Sequence, residues 1–309
     1  MNGTGAARRP DRILLGIGAM IASVTLFSLV NILVKHLGER YPLAQLMFFR
    51  AAVALLPALL LVARHERGFA TMRTPRLGAH AARALLGMFA MATSFAAYRY
   101  LPAADVVAIN FAAPLFATAL SVPLLGEAVG WRRWSAVVVG FVGVMVMLQP
   151  AALASGAGAP GAEIGGLLAL SSALVYAVVV IVIRQLARDE PSATIVFVYM
   201  ACVALATAPI LPFVWVTPDG VDLIMLIALG LIGGFAQIFL TRAFEFAPPS
   251  VVMPFEYLAL VATAFLAWLI WSEVPTRAGL AGAAIVIASG LFILHREAQL
   301  ARLKPPSAP

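Results

Sequence analysis

The sequence predicts an all-α membrane protein: ten transmembrane helices arranged as two five-helix inverted repeats, with both termini in the cytoplasm. Three observations carry that expectation. Of 309 residues, 62% are apolar and only 11% are charged, less than half the charged share of an ordinary soluble domain. Apolar stretches of spanning length follow one another along nearly the whole chain. The second half also matches the first at an almost constant shift. A net charge of +7 would point a soluble protein toward nucleic acid. Here the basic residues cluster in short loops, which is an orientation signal, so the bilayer is the expected partner and nucleic acid is not. A single cysteine, Cys202, excludes an internal disulfide.

The spans are bounded by breakers and charges. The first, 12–35, follows the basic start MNGTGAARRPDR; its full spanning length predicts a permanent helix and not a cleaved signal peptide. Span 44–64 opens after Pro42, 78–99 after TPR at 74–76, 103–125 after Pro102, and 131–149 at Arg132 and Arg133. The run PAALASGAGAPGAEIGG then predicts a flexible linker, 151–162, between a first unit (1–150) and a second (163–296). It has no Lys and so is not a phosphate-binding loop. The second unit supplies spans 163–185, 192–214 (after PSA at 191–193), 220–242 (after Pro218 and Asp219), 249–271 (after Pro248 and Pro249) and 277–295. A short tail, 297–309, is left.

Placing the N-terminus inside gives the cytoplasmic side all but five of the 21 lysines and arginines, Arg83 among them as a residue of the second loop. The five on the other side are Lys35, Arg40, Arg50, Arg99 and Arg277. That asymmetry follows the positive-inside rule.

A shift of 149 residues aligns Gly16 with Gly165, Ser23 with Ser172, Lys35 with Arg184, Pro42 with Pro191 and Phe48 with Phe197. From the third span onward a shift of 146 aligns Gly87 with Gly233, Phe89 with Phe235, Ala90 with Ala236, Pro102 with Pro248 and Glu127 with Glu273. Each copy holds five spans, an odd number, so the second copy is inverted. Inverted repeats are characteristic of secondary transporters, whose substrate sites lie near the midplane at the repeat interface.

Candidate site residues follow from polar groups at membrane depth. Glu256, in VVMPFEYLALVATAFLAWLIWSE, lies about 10 Å inside its span at about 1.5 Å per residue. A carboxylate there costs roughly 2.5–3.5 kcal/mol even on lenient scales, so it is a functional candidate by default. It either faces a cavity, binding an ammonium or carrying a coupling proton, or is a neutral group holding a helix kink. Under the 146 shift it aligns with Asn110, and Pro254 and Pro114 are expected to interrupt those two spans. Arg50 sits at comparable depth from the opposite face, where its guanidinium either snorkels or recognises a carboxylate. Three aromatic positions recur: Phe27 with Tyr176, Tyr98 with Phe244, and Phe111 with Tyr257. These, with Gln237, either wall a substrate site or pack helices. Lys35, Trp268 and Trp271 read as interface anchors, Gly87, Gly233 and Gly234 as close-packing positions, and Glu127 and Glu273 as structural, pairing with nearby arginines. The scattered histidines form no HExxH motif or ligand set, and no cofactor or metal is expected.

The runs LLGEAVGWRRWSAVVVGFVGVMVML and WSEVPTRAGLAGAAIVIASGLFILHRE, with Asn31 to Lys35 and the FFR ending at Arg50, resemble the EamA-type repeat, here in two tandem copies. The resemblance implies a ten-helix member of the drug/metabolite transporter superfamily in a bacterial-type inner membrane. Such members resemble exporters of amino acids and related metabolites. The FEYLAL run around Glu256 is also similar to relatives assigned to S-adenosylmethionine uptake. The expected function is therefore secondary transport by alternating access, with export of neutral or aromatic amino acids ahead of uptake of a cationic metabolite. An integral-membrane enzyme would need a catalytic set that the sequence lacks. A lipid-handling subunit is the third class.

Overall fold

In a computed structural model the described residues are 10–63, 74, 76–125, 130–153, 161–187, 190–247, 249–274 and 277–303. Among them the chain is all helix and turn, without strands. Glu127, the loop arginines Arg64, Arg67, Arg73 and Arg188, most of the linker and the end of the tail lie outside the described residues.

In chain order the helices are α1 (Pro10–Gly38), α2 (Leu43–Ala52), α3 (Leu55–Ala63), α4 (Leu77–Ala97), α5 (Ala103–Asn110), α6 (Ala113–Leu125) and α7 (Trp131–Leu153). There follow α8 (Ala162–Leu186), α9 (Ser192–Thr207), α10 (Leu211–Val214), α11 (Gly220–Phe246), α12 (Pro249–Val252), α13 (Leu258–Trp271) and α14 (Arg277–Leu303). Among the described residues, seven helical stretches are long and apolar enough to cross a membrane, and α7 and α14 carry shorter apolar stretches.

Four expected spans are broken rather than continuous. Two breaks follow the expectation from Pro114 and Pro254: α5 stops at Asn110, and a 3₁₀ turn at Met253–Tyr257 separates α12 from α13. Two were not anticipated. The second span breaks between α2 and α3, and the seventh passes through a 3₁₀ turn at Ala208–Ile210. Proline explains each, because it lacks an N–H and is tolerated only within a first turn: Pro57 lies in the first turn of α3, and Pro209 and Pro212 open the turn and α10. At the other extreme α14 runs on to Leu303, into what the sequence marks as tail.

The packing exchanges the two halves. α1 packs along α11 as α8 packs along α4, while α7 pairs with α14 and α2 with α9. The same exchange appears in single hydrogen bonds. Ser23 Oγ donates to the Ala236 carbonyl at 2.9 Å, and Ser172 Oγ to the Ala90 carbonyl at 2.9 Å. Those four residues are the ones the 149 and 146 shifts align. Each such interhelical bond contributes about 0.6 kcal/mol in a membrane protein, so the pair fixes register more than it stabilises.

Polar clasps close the bundle ends. Gln45 exchanges two bonds with the backbone of Val216, at 2.8 and 3.0 Å. Asp222 accepts from Tyr41 at 2.7 Å and pairs with Arg40 at 3.2 Å, and its own N–H is capped by Asp219 at 2.8 Å. The hydrogen bond to Asp222 raises both the Arg40 guanidinium and the Tyr41 phenol above their ordinary pKa values. At the other end His80 pairs with Glu190 at 2.9 Å, and Glu190 also accepts from Thr74.

Candidate functional site

The broken helices surround one central cavity of about 280 Å³. Of the ten candidates read from the sequence, Glu256, Arg50, Asn110, Gln237, Tyr98, Tyr176, Tyr257, Phe27 and Phe111 lie on its wall, whereas Phe244, the repeat equivalent of Tyr98, is buried in the helix packing and does not line it. The breaks explain the placement. Asn110 is the last residue of α5, and Glu256 lies in the 3₁₀ turn before α13, so both polar side chains sit where the helical ladder is interrupted and backbone groups can face a cavity. Asn110 Nδ2 lies 3.4 Å from Ser94 Oγ, while its Oδ1 is buried without a hydrogen-bond partner among the described residues. Tyr98 and Ser94 line the same wall.

Arg50 occupies the last turn of α2, where the helix carbonyls favour a cation. It is only 4% exposed, with its guanidinium carbon 5.8 Å from the Phe27 ring centre and Nη1 3.8 Å from Met200 Sδ. Phe111 and Tyr257, equivalent under the repeat, touch each other edge to face at 4.9 Å between ring centres. The Tyr257 hydroxyl is buried without a hydrogen-bond partner among the described residues. The cavity thus combines a guanidinium, a carboxylate, amides and aromatic walls.

Two site features were not expected. Arg83 does not belong to a solvated loop; it lies inside α4, is 3% exposed, and lines the cavity. Its guanidinium stacks 3.8 Å from the ring centre of Tyr199, whose hydroxyl donates to the Gly87 carbonyl at 3.3 Å. A Cβ on Gly87 would stand 2.0 Å from Arg83 Nη1 and 2.8 Å from Tyr199 Cε2. Gly87→Ala is accordingly expected to displace both side chains and to lower the melting temperature, since overpacking a buried position costs about 1–3 kcal/mol, as read by thermal melts.

The second feature adjoins the first. A smaller cavity of about 240 Å³ shares Tyr98 with the central one and is lined by Lys35, Arg99 and Glu273. Lys35 forms an ion pair with Glu273, and its ammonium lies 5.0 Å from the Trp271 ring centre. Glu273 pairs with this lysine and not with an arginine. Asp105, at the start of α5, is within electrostatic reach of both.

Residues 14–149 and 163–295 each match the EamA-like transporter family. An S-adenosylmethionine uptake transporter of Rickettsia felis is 31% identical over 287 residues, covering 92% of this chain and 94% of the relative. A pseudopaline exporter of Pseudomonas aeruginosa is 28% identical over 270 residues, covering 87% and 92%. A riboflavin transporter of Rhizobium johnstonii is 29% identical over 300 residues, covering 96% of each. A protein of known crystal structure, 21% identical, shares the fold with a TM-score of 0.65 over 94% of this chain and 99% of its own.

Proposed function

This chain belongs to the EamA-like transporter family, and we propose that it is a secondary transporter of an amino-acid-type metabolite, with Arg50 and Glu256 reading the two charges of the substrate. The observation that carries the reading is the shared cavity. A cation, a carboxylate and aromatic walls face one space, which suits a molecule with an anionic group, a cationic group and a flat or apolar remainder. Arg50 takes the carboxylate through its planar fork, Glu256 takes the ammonium or a proton, and Tyr98, Tyr176 and Tyr257 form the walls, with Asn110 and Gln237 supplying hydrogen bonds.

S-adenosylmethionine, the substrate named for the Rickettsia felis relative, carries such an amino-acid head and is the first candidate. Neutral or aromatic amino acids are the second, favoured by the same charge pair and ring-lined wall. Family and relatives point to transport and away from enzyme chemistry.

The reading places ten crossings in a bacterial-type inner membrane, as two inverted units with both termini inside; α4, α7 and α14 complete the seven long apolar stretches. Reporter fusions at both ends are expected to be active only in cytoplasmic form. A periplasmically active C-terminal fusion would contradict an even number of crossings with the N-terminus inside.

Alternating access moves this cavity between the two faces, with the two units rocking about it. The test is counterflow of labelled S-adenosylmethionine and labelled amino acids in proteoliposomes containing this chain alone, with and without a pH gradient. Exchange of either class supports the reading, and accumulation only with a gradient adds proton coupling. Absence of exchange for both would overturn it.

A further inference from the structure

The strongest signal left over is Arg83. Its Nε and Nη1 are buried and have no hydrogen-bond partner among the described residues. Among the described residues, neither Arg83 nor Arg50 is within ion-pair distance of a carboxylate, whereas His80, one turn earlier on α4, has Glu190. Stacking on Tyr199 offsets part of the cost of burying this charge, yet it leaves the N–H donors unsatisfied. Arg50 reaches Met200 Sδ at 3.8 Å, and Arg83 lies on the ring of Tyr199, the preceding residue of α9, so two buried cations line the cavity beside one stretch of that helix.

Their placement is not random with respect to the internal repeat. The 149 shift aligns Arg50 with Tyr199, and the 146 shift aligns Gly87 with Gly233. A Cβ on Gly233 would stand 2.8 Å from Arg50 Cζ, as one on Gly87 would stand 2.0 Å from Arg83 Nη1. The two guanidiniums therefore occupy equivalent places against equivalent glycines, although one comes from α2 and the other from α4. Where the second half carries Tyr199 instead of an arginine, Arg83 restores the cation by lying on its ring.

Like charges held together in a desolvated corner are complementary to an oxyanion. Against the single carboxylate of Glu256 the wall carries two guanidiniums, an excess of one positive charge. We propose that Arg50 and Arg83 form a two-guanidinium cradle for the substrate's carboxylate, and that Arg83 is a substrate-binding residue that makes the carboxylate obligatory for recognition. The proposal rests on the transporter reading for the identity of the anion and not for its binding. Carboxylate and phosphate share the required chemistry, and the test separates them.

The full chain, purified in detergent, is melted with S-adenosylmethionine, L-phenylalanine and L-leucine, each beside its decarboxylated amine, and with inorganic phosphate at matched ionic strength. At least one carboxylate probe is expected to raise the melting temperature, with its amine and phosphate ineffective. Arg83→Gln is expected to weaken that probe by about tenfold or more, while the variant without ligand melts no lower than the parent. Arg83→Lys, which keeps charge and loses the fork, falls between them and serves if the Gln variant fails to fold.

A purely structural arginine would give the opposite pattern, a lower melt without ligand and an unchanged probe response, and would overturn the proposal. So would stabilisation by phosphate alone, equal binding of acid and amine, or no response to any probe. If a carboxylate stabilises the chain but no solute exchanges in vesicles, the cradle stands and the transport reading falls.

Discussion

Glu256→Gln is expected to reduce exchange of a zwitterionic substrate by about 100-fold while the protein still folds and inserts. The substitution keeps size and hydrogen-bonding capacity and removes only the charge, so the loss reports the charge itself. A charge-assisted bond to an ammonium contributes about 1.5–3 kcal/mol, and each 1.4 kcal/mol is tenfold in affinity. Glu256 sits in the 3₁₀ turn that opens at Pro254 and not in a continuous helix, and it lines the cavity. Counterflow of the parent and the variant across a pH series checks this. Full transport with an unchanged pH profile would remove Glu256 from the mechanism.

Lys35→Ala is expected to cost about 2–3 kcal/mol of stability, the largest effect for a residue outside the central cavity. Breaking a fully buried pair costs about 3–5 kcal/mol, because the partner charge is left without compensation. Glu273 is 30% exposed, and water recovers part of that loss. What remains is Glu273 within electrostatic reach of Asp105, without the lysine that offsets both. A thermal melt followed by intrinsic fluorescence checks the prediction, and Lys35→Ala with Glu273→Gln is expected to recover most of the loss. An unchanged melt for the single variant would show that the pair is solvated.

How much of this was legible in the sequence depends on which physical rule each residue obeys. Glu256, Asn110 and Gln237 could be picked out because a polar group at membrane depth must face protein or water, and the pseudo-symmetry placed two of them at equivalent depth. All three line the cavity. Arg83 escaped because it lies seven residues into α4, near enough to a loop to pass as a solvated cation. Its burial comes from the packing of α4 against α9, which no local pattern encodes. Tyr199 was missed with it, since an aromatic residue in an apolar helix carries no signal of its own. The pairing of Lys35 with Glu273 spans 238 residues and was hidden for the same reason. The breaks at Pro57 and Pro209 were visible as residues, but hydropathy windows average over side chains and are blind to the backbone.

The measurement that bears most directly on the central claim uses the single native cysteine. With Cys202→Ala as background, Ala117→Cys places one thiol on the cavity wall, and its maleimide labelling is timed with and without the solute that exchanges in vesicles. Occupancy of the cavity by substrate predicts labelling slowed by about tenfold at saturating solute. Labelling at the same rate with and without that solute would mean that the transported molecule does not pass through this cavity.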